Sequence, residues 1–179
     1  LFIFRLICMM FTAATELGTT QRIEVLLGKS LESPILILVF INGLMALGRL
    51  YAGPIVHKLS ITKVLLFSAI FSCLGLFLLA NTSGAMTFLA AAVFAIGVCY
   101  FWPTMLSFVS EKIPESGALG VSVMGGAGML SVSFVLPQMG KLMDSNTTGS
   151  ELLLLYAYIP AILIVAFLIL HIYVKTKKI

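Results

Sequence analysis

The chain has 179 residues, of which 60% are hydrophobic and 10% charged, with a mean hydropathy of +1.14. Soluble domains carry about 25% charged residues, so this composition excludes a water-soluble fold, which could not cover its surface with polar groups. The net charge of +4 comes without a basic stripe interleaved with aromatics, which excludes a nucleic-acid partner and leaves the lipid bilayer as the surrounding medium.

A spanning helix needs about 20 mainly apolar residues. Six stretches meet that requirement, approximately 2–27, 34–56, 64–80, 86–110, 118–143 and 152–174. The connections between them are short and rich in polar and turn-forming residues. The expectation is an all-α membrane protein, a single domain over 1–179 with six transmembrane helices. The chain begins at Leu1, not Met, and is expected to be a fragment or a processed product. Its first segment is too long, and too polar at its end, for a signal peptide.

The first helix carries Glu16 in the middle of an otherwise apolar run. An ionisable group at bilayer depth costs roughly 2.5–3.5 kcal/mol on insertion scales, so it marks a cavity, an ion or a partner. At 100° per residue Thr12, Thr15, Glu16, Thr19 and Arg22 share about a third of the circumference. Gly18 weakens the helix beside them and permits a break, a device by which transporters build sites near the midplane. Glu16 then reads as a proton carrier or as an acceptor for a polar substrate. The other reading places Glu16, Arg22 and Glu24 near the outer surface, paired with one another.

In the second helix Asn42 and Arg49 are seven residues apart and occupy one face. The Asn42 amide suits a sugar hydroxyl or an interhelical bond. The third helix has a small-residue face in Ser68, Ser72 and Gly75. The fourth reads Tyr100-Phe101-Trp102-Pro103-Thr104, with Tyr100, Thr104 and Ser107 in a polar stripe. Pro103 removes a backbone donor and can kink the helix. Trp102 offers a broad apolar face to a sugar ring or to the core. In the fifth helix Ala118, Ser122 and Gly126 recur every four residues, widened by Gly125 and Gly128. Such a smooth face lets helix backbones approach closely. Pro137 offers a bend further on.

Cys8, Cys73 and Cys99 lie far apart inside apolar runs. They form neither a disulfide framework nor a metal site. Sequons at Asn81 and Asn146 fall in expected outer loops, where short turns favour Asn, Ser and Thr in any case. No phosphate-binding loop, redox motif or metalloprotease motif is present, so neither enzymatic activity nor a cofactor is expected.

An even number of spans puts both termini on one side. Arg5, Arg49, Lys58, Lys63, Lys112, Lys175, Lys177 and Lys178 fall there, against Arg22, Lys29 and Lys141 opposite. The positive-inside rule therefore predicts cytoplasmic termini.

The stretch Gly48-Arg49-Leu50-Tyr51-Ala52-Gly53-Pro54-Ile55-Val56-His57-Lys58 resembles the loop signature of the major facilitator superfamily between helices two and three of each six-helix half. Gly53 and Lys58 match that signature, and His57 stands where an acid is usual. The departure suggests the C-terminal half, whose copy is often degenerate. The strings Glu16-Leu-Gly-Thr-Thr-Gln21 and Val98-Cys-Tyr-Phe-Trp-Pro-Thr104 look similar to bacterial sugar permeases of the fucose and glucose/galactose proton-symporter type. The resemblance implies the C-terminal six-helix bundle of a proton-coupled, alternating-access transporter in the bacterial inner membrane. Its partner would be an N-terminal six-helix half missing from this chain, and its substrate a small polar solute such as a sugar. On that reading Glu16, Gln21, Asn42, Tyr100 and Trp102 contribute to a central cavity, with Glu16 handling the coupling proton. Gly48, Arg49, Gly53, His57 and Lys58 shape a cytoplasmic gate. A drug or metabolite exporter, and a six-helix scaffold that transports nothing, are the alternatives.

Overall fold

Lipid offers no partner to a backbone N–H or C=O, so an apolar chain must satisfy those groups within itself, and a helix does so inside one segment. The computed structural model describes residues 2–28, 33–112, 116–144 and 147–177, apart from the side chains of Phe2, His57, Lys112, Val174, Lys175 and Lys177. Among the described residues every regular element is helical. In chain order they are α1 (Phe2–Ala13), a π-helical turn (Ala14–Gly18), α2 (Thr19–Leu27), α3 (Pro34–Leu50), α4 (Ala52–Leu59) and α5 (Ile61–Asn81). There follow α6 (Met86–Val98), α7 (Phe101–Lys112), α8 (Gly117–Asp144) and α9 (Gly149–Lys177).

Local signals set several of these boundaries. Pro34 opens α3, where its missing N–H has no helical acceptor to serve. A reciprocal cap opens α9: the Thr148 N–H donates to Glu151 Oε2 at 2.8 Å and the Glu151 N–H to Thr148 Oγ1 at 3.3 Å. Ser60, at φ 66°, makes the corner between α4 and α5.

Four helical stretches are long and apolar enough to cross a membrane: Ile61–Asn81, Met86–Glu111, Gly117–Asp144 and Gly149–Tyr173. Of these, Met86–Glu111 runs through α6 and α7 with a break at Cys99–Tyr100, and the two other expected spans also depart from single long helices. The first contains the π turn, and the second stops at Leu50, because Tyr51 at φ −97°, ψ 2° leaves the helical region and starts the separate α4. Lys29, Asn146 and Lys178, which the sequence reading places in loops and the tail, lie outside the described residues.

Helix α5 lies between α6 and α9, while α1 packs on α8 and α3 on α6. The α5–α6 seam is closed by glycines on both sides. A Cβ at Gly75 would run into the Phe94 backbone, and one at Gly97 into the backbone of Phe71 and Ser72. Phe94, Phe101, Phe167, Met9, Ile23 and Leu76 are fully buried in the shared core. The outer faces are apolar too, with Ile3, Val39, Leu89, Phe134 and Ile169 each more than half exposed. Water would penalise such a surface and hydrocarbon does not.

The fifth-helix stripe sits differently from a packing face of this bundle. Ala118, Ser122 and Gly126 are exposed, and nothing lies within 4 Å of a Cβ placed on Gly126. Gly128 is the residue that packs: its Cβ position lies 3.1 Å from Trp102 and 3.3 Å from Ala13 and Met9.

Candidate functional site

The site starts from a widened turn. Helix geometry continues from α1 into α2, but over Ala14–Gly18 it loosens to π. Single π turns are rare and often mark functional positions. Gly18 does not break the helix as its flexibility suggested. Its role is contact: a Cβ there would lie 3.2 Å from Val135 Cγ1 on α8. Two threonines of the polar stripe, Thr12 and Thr15, serve their own helix, as does Thr20 beside it. Thr12 Oγ1 donates to the Met9 carbonyl at 2.9 Å, Thr15 Oγ1 to the Phe11 carbonyl at 2.9 Å, and Thr20 Oγ1 to the Glu16 carbonyl at 2.8 Å.

Glu16 projects from this turn into the bundle and is 3% exposed. Its Oε1 accepts a hydrogen bond from Arg49 Nη2 of α3 at 2.6 Å, a charge-assisted contact. Its Oε2 is buried without a partner. Glu16 therefore pairs across the bundle with Arg49, and the expected outer cluster with Arg22 and Glu24 does not form around it. Arg49 belongs to this pair as well as to the loop-proximal motif in which the sequence places it.

The second anchor of Arg49 is a backbone carbonyl, and the sequence explains why that carbonyl is free. In an uninterrupted helix the Cys99 C=O would accept from the N–H of residue 103. That residue is Pro103, which has no N–H. The helix is interrupted between α6 and α7, the Thr104 N–H picks up the Tyr100 carbonyl at 3.1 Å, and Arg49 Nε donates to the Cys99 carbonyl at 3.2 Å. The break thus falls at Cys99–Tyr100, ahead of Pro103. Gly48 makes the approach possible: a Cβ there would lie 2.8 Å from Cys99 Sγ and 3.7 Å from the Tyr100 hydroxyl. The arginine, with its side chain 39% exposed, is left clamped between an acid on α1/α2 and a carbonyl at the α6–α7 break.

The other expected site residues divide. Tyr100 is half-buried beside this clamp. Trp102 packs inward against Gly128 of α8, with its Nε1 buried and unpartnered. Gln21 and Asn42 are exposed, and the Asn42 amide donates to its own helix at Leu38 O, 2.9 Å away. Gly53 and Lys58 are exposed on α4, and a Cβ on Gly53 would meet nothing within 4 Å. In this structure the close approach that the loop signature assigns to a glycine falls on Gly48. The backbone of His57 belongs to α4, and its side chain lies outside the described residues.

Two features escape a sequence reading. Arg5, counted there among the loop cations, is 2% exposed, with its guanidinium over the Phe108 ring of α7 and no hydrogen-bond partner for its three nitrogens. The hydroxyls of Thr19 and Thr104 are likewise buried and unpartnered. The only advance signal for Arg5 is its place inside an apolar run. Among the described residues no group of His, Cys, Asp and Glu could hold a metal ion.

Comparison with protein-family models, with curated proteins and with solved structures finds no match to this chain.

Proposed function

We propose that this chain is one six-helix half of a proton-coupled secondary transporter for a small polar solute, with a sugar as its most concrete substrate. The observation that carries the reading is the pair formed by buried Glu16 and Arg49, joined through Arg49 to a carbonyl at a helix break. Charged groups at bilayer depth are expensive and face pathways or partners. This pair links three places where helix geometry loosens or ends: the π turn, the end of α3 and the α6–α7 break. Protonation of Glu16 removes its charge and loosens the clamp, so Arg49 is released toward solute or water. An acid already neutralised by an arginine is poorly suited to hold a cationic drug, which favours a neutral, hydroxyl-bearing solute over the exporter alternative.

In this reading the stretch from Phe2 to Leu27 and the α3–α4 hairpin arm supply the fifth and sixth crossings, both termini are cytoplasmic, and the membrane is the bacterial inner membrane. The exposed smooth face at Ala118, Ser122 and Gly126 receives the missing N-terminal bundle, an arrangement similar to the C-terminal half of the major facilitator superfamily. The test is uptake of a panel of labelled sugars by proteoliposomes carrying the full native polypeptide, with and without an inward proton gradient. Gradient-driven accumulation of one sugar, lost in Glu16→Gln, is the expected result. No accumulation of any sugar, with the same traces in wild type and variant, would remove both the transport reading and the role of Glu16.

A further inference from the structure

The corner between α4 and α5 frames an open, groove-like cavity that the charged pair does not use. Its volume is about 420 Å³, and its walls include Ile55 and Leu59 of α4, Lys63 and Phe67 of α5, Ile96 of α6, and Tyr100 at the helix break. A volume of this size is in the range of small-molecule sites. The lining is apolar apart from the Lys63 ammonium and the Tyr100 hydroxyl.

Helix α4 covers this space as a short amphipathic piece. It is offset from α3 by Tyr51 and from α5 by the positive φ of Ser60. Ile55 and Leu59 line the cavity, Leu59 from a half-exposed position, and Pro54 and Lys58 are exposed beside them.

The helices that line the cavity carry cations and no acid, and the next acid along the chain is Glu111, exposed near the end of α7. The sequence contains no Asp or Glu between Glu32 and Glu111, so α3, α4, α5 and α6 hold no acid at all. Arg49 in that stretch is occupied by Glu16. Lys58 and Lys63 are exposed, and among the described residues no carboxylate lies within salt-bridge distance of either. They lie at the end of the bundle where α5 starts and α9 finishes, since Thr62 Oγ1 and His171 Nδ1 are 3.0 Å apart. Phe4 joins Ile169 and Tyr173 around a neighbouring cleft, so α1 begins at this end too. Apolar walls with unpaired cations at the mouth fit a ligand that is apolar in its body and anionic at its head.

We propose that this cavity is a binding site for an anionic phospholipid, with one acyl chain against Ile55, Phe67 and Ile96 and the phosphate held by Lys63, with Lys58 beside it. Basic pockets between spanning helices recognise acidic head groups in this way. The site depends on the membrane setting of the chain and not on the transport reading.

Native mass spectrometry of the full polypeptide, purified in mild detergent, tests it. The probes are phosphatidylglycerol and phosphatidylcholine with matched acyl chains. Preferential retention of one phosphatidylglycerol is expected. Lys63→Gln lowers that preference roughly fivefold, as loss of one interfacial cation should. Lys141→Gln, at the far end of α8, leaves it unchanged. Ile96→Trp, which fills the cavity from a partly exposed position, lowers retention of the lipid itself. Equal retention of the two lipids, or a preference unchanged by Lys63→Gln, would overturn the site. Retention of neither lipid would overturn it as well and leave the groove to a helix of a partner chain.

Discussion

Pro103 and Arg49 act on the same atom: the proline denies the Cys99 carbonyl its helical donor, and the arginine supplies the replacement at 3.2 Å. Neither residue explains the geometry alone. A proline without the arginine leaves an orphaned carbonyl in an apolar interior. An arginine without the proline competes with a helical N–H for its second anchor.

Replacing Pro103 with Ala tests that relationship. The variant restores an N–H at position 103, which can take back the Cys99 carbonyl and let the helix run on from α6 into α7. The melting temperature should stay level or rise, and solute uptake should fall several-fold as Arg49 loses its carbonyl anchor. Stability that rises with uptake untouched would show that the freed carbonyl is incidental.

The Glu16–Arg49 pair should behave as a unit in folding. Removing one partner of a buried pair is costly, about 3–5 kcal/mol for a fully buried case, and less here because the Arg49 side chain is 39% exposed. Glu16→Gln and Arg49→Gln should each lower the melting temperature, and the double variant should recover part of the loss. A double variant whose loss equals the sum of the two single losses would mean that the residues do not interact in the folded protein.

The pH dependence of uptake follows from the same carboxylate. Deprotonated Glu16 holds Arg49, and protonated Glu16 does not. Uptake that rises as external pH falls is therefore expected in the wild type. In Glu16→Gln, whose amide cannot titrate, that dependence should vanish, with any residual exchange independent of the proton gradient. A wild-type slope that persists in the variant would place the coupling group elsewhere.

Glycines at different positions should fail in different ways. Gly48→Val puts side-chain atoms into Cys99, and overpacking of this kind costs about 1–3 kcal/mol. It should lower both stability and uptake. Gly53→Leu meets no neighbour within 4 Å and should leave the melting temperature alone. A gate at α4 would show itself as a lower transport rate in that variant, and an unchanged rate would exclude Gly53 from the gate.

Gly126→Leu probes the proposed partner bundle. Its Cβ would stand in open space on this chain, so the fold of this half should be indifferent to it. If a second bundle docks on that face, uptake should drop sharply and the two halves should separate more readily in detergent. Full activity in Gly126→Leu would place the partner on another surface.

Composition and period alone determined much of this protein. A chain 60% hydrophobic and 10% charged has no soluble solution, and in lipid its backbone must close its hydrogen bonds within helices. The polar stripe of the first helix was legible as well, because Thr12, Thr15, Glu16 and Thr19 recur at helical spacing and all four are buried. Pro103 was legible as a disturbance.

Pairing across the bundle was decided only by the tertiary structure. Glu16 and Arg49 are 33 residues apart, and no local rule selects Arg49 over the nearer Arg22. Which helix meets which follows from close approaches at glycines, to a neighbouring backbone at Gly75 and Gly97 and to neighbouring side chains at Gly18 and Gly48. Those approaches depend on side-chain shape on both partners. The smooth faces of the sequence look alike, yet the one at Gly75 is sealed against α6 while the one at Gly126 is open. A glycine's role is set by the residue opposite it, and a single strand of sequence does not contain that opposition.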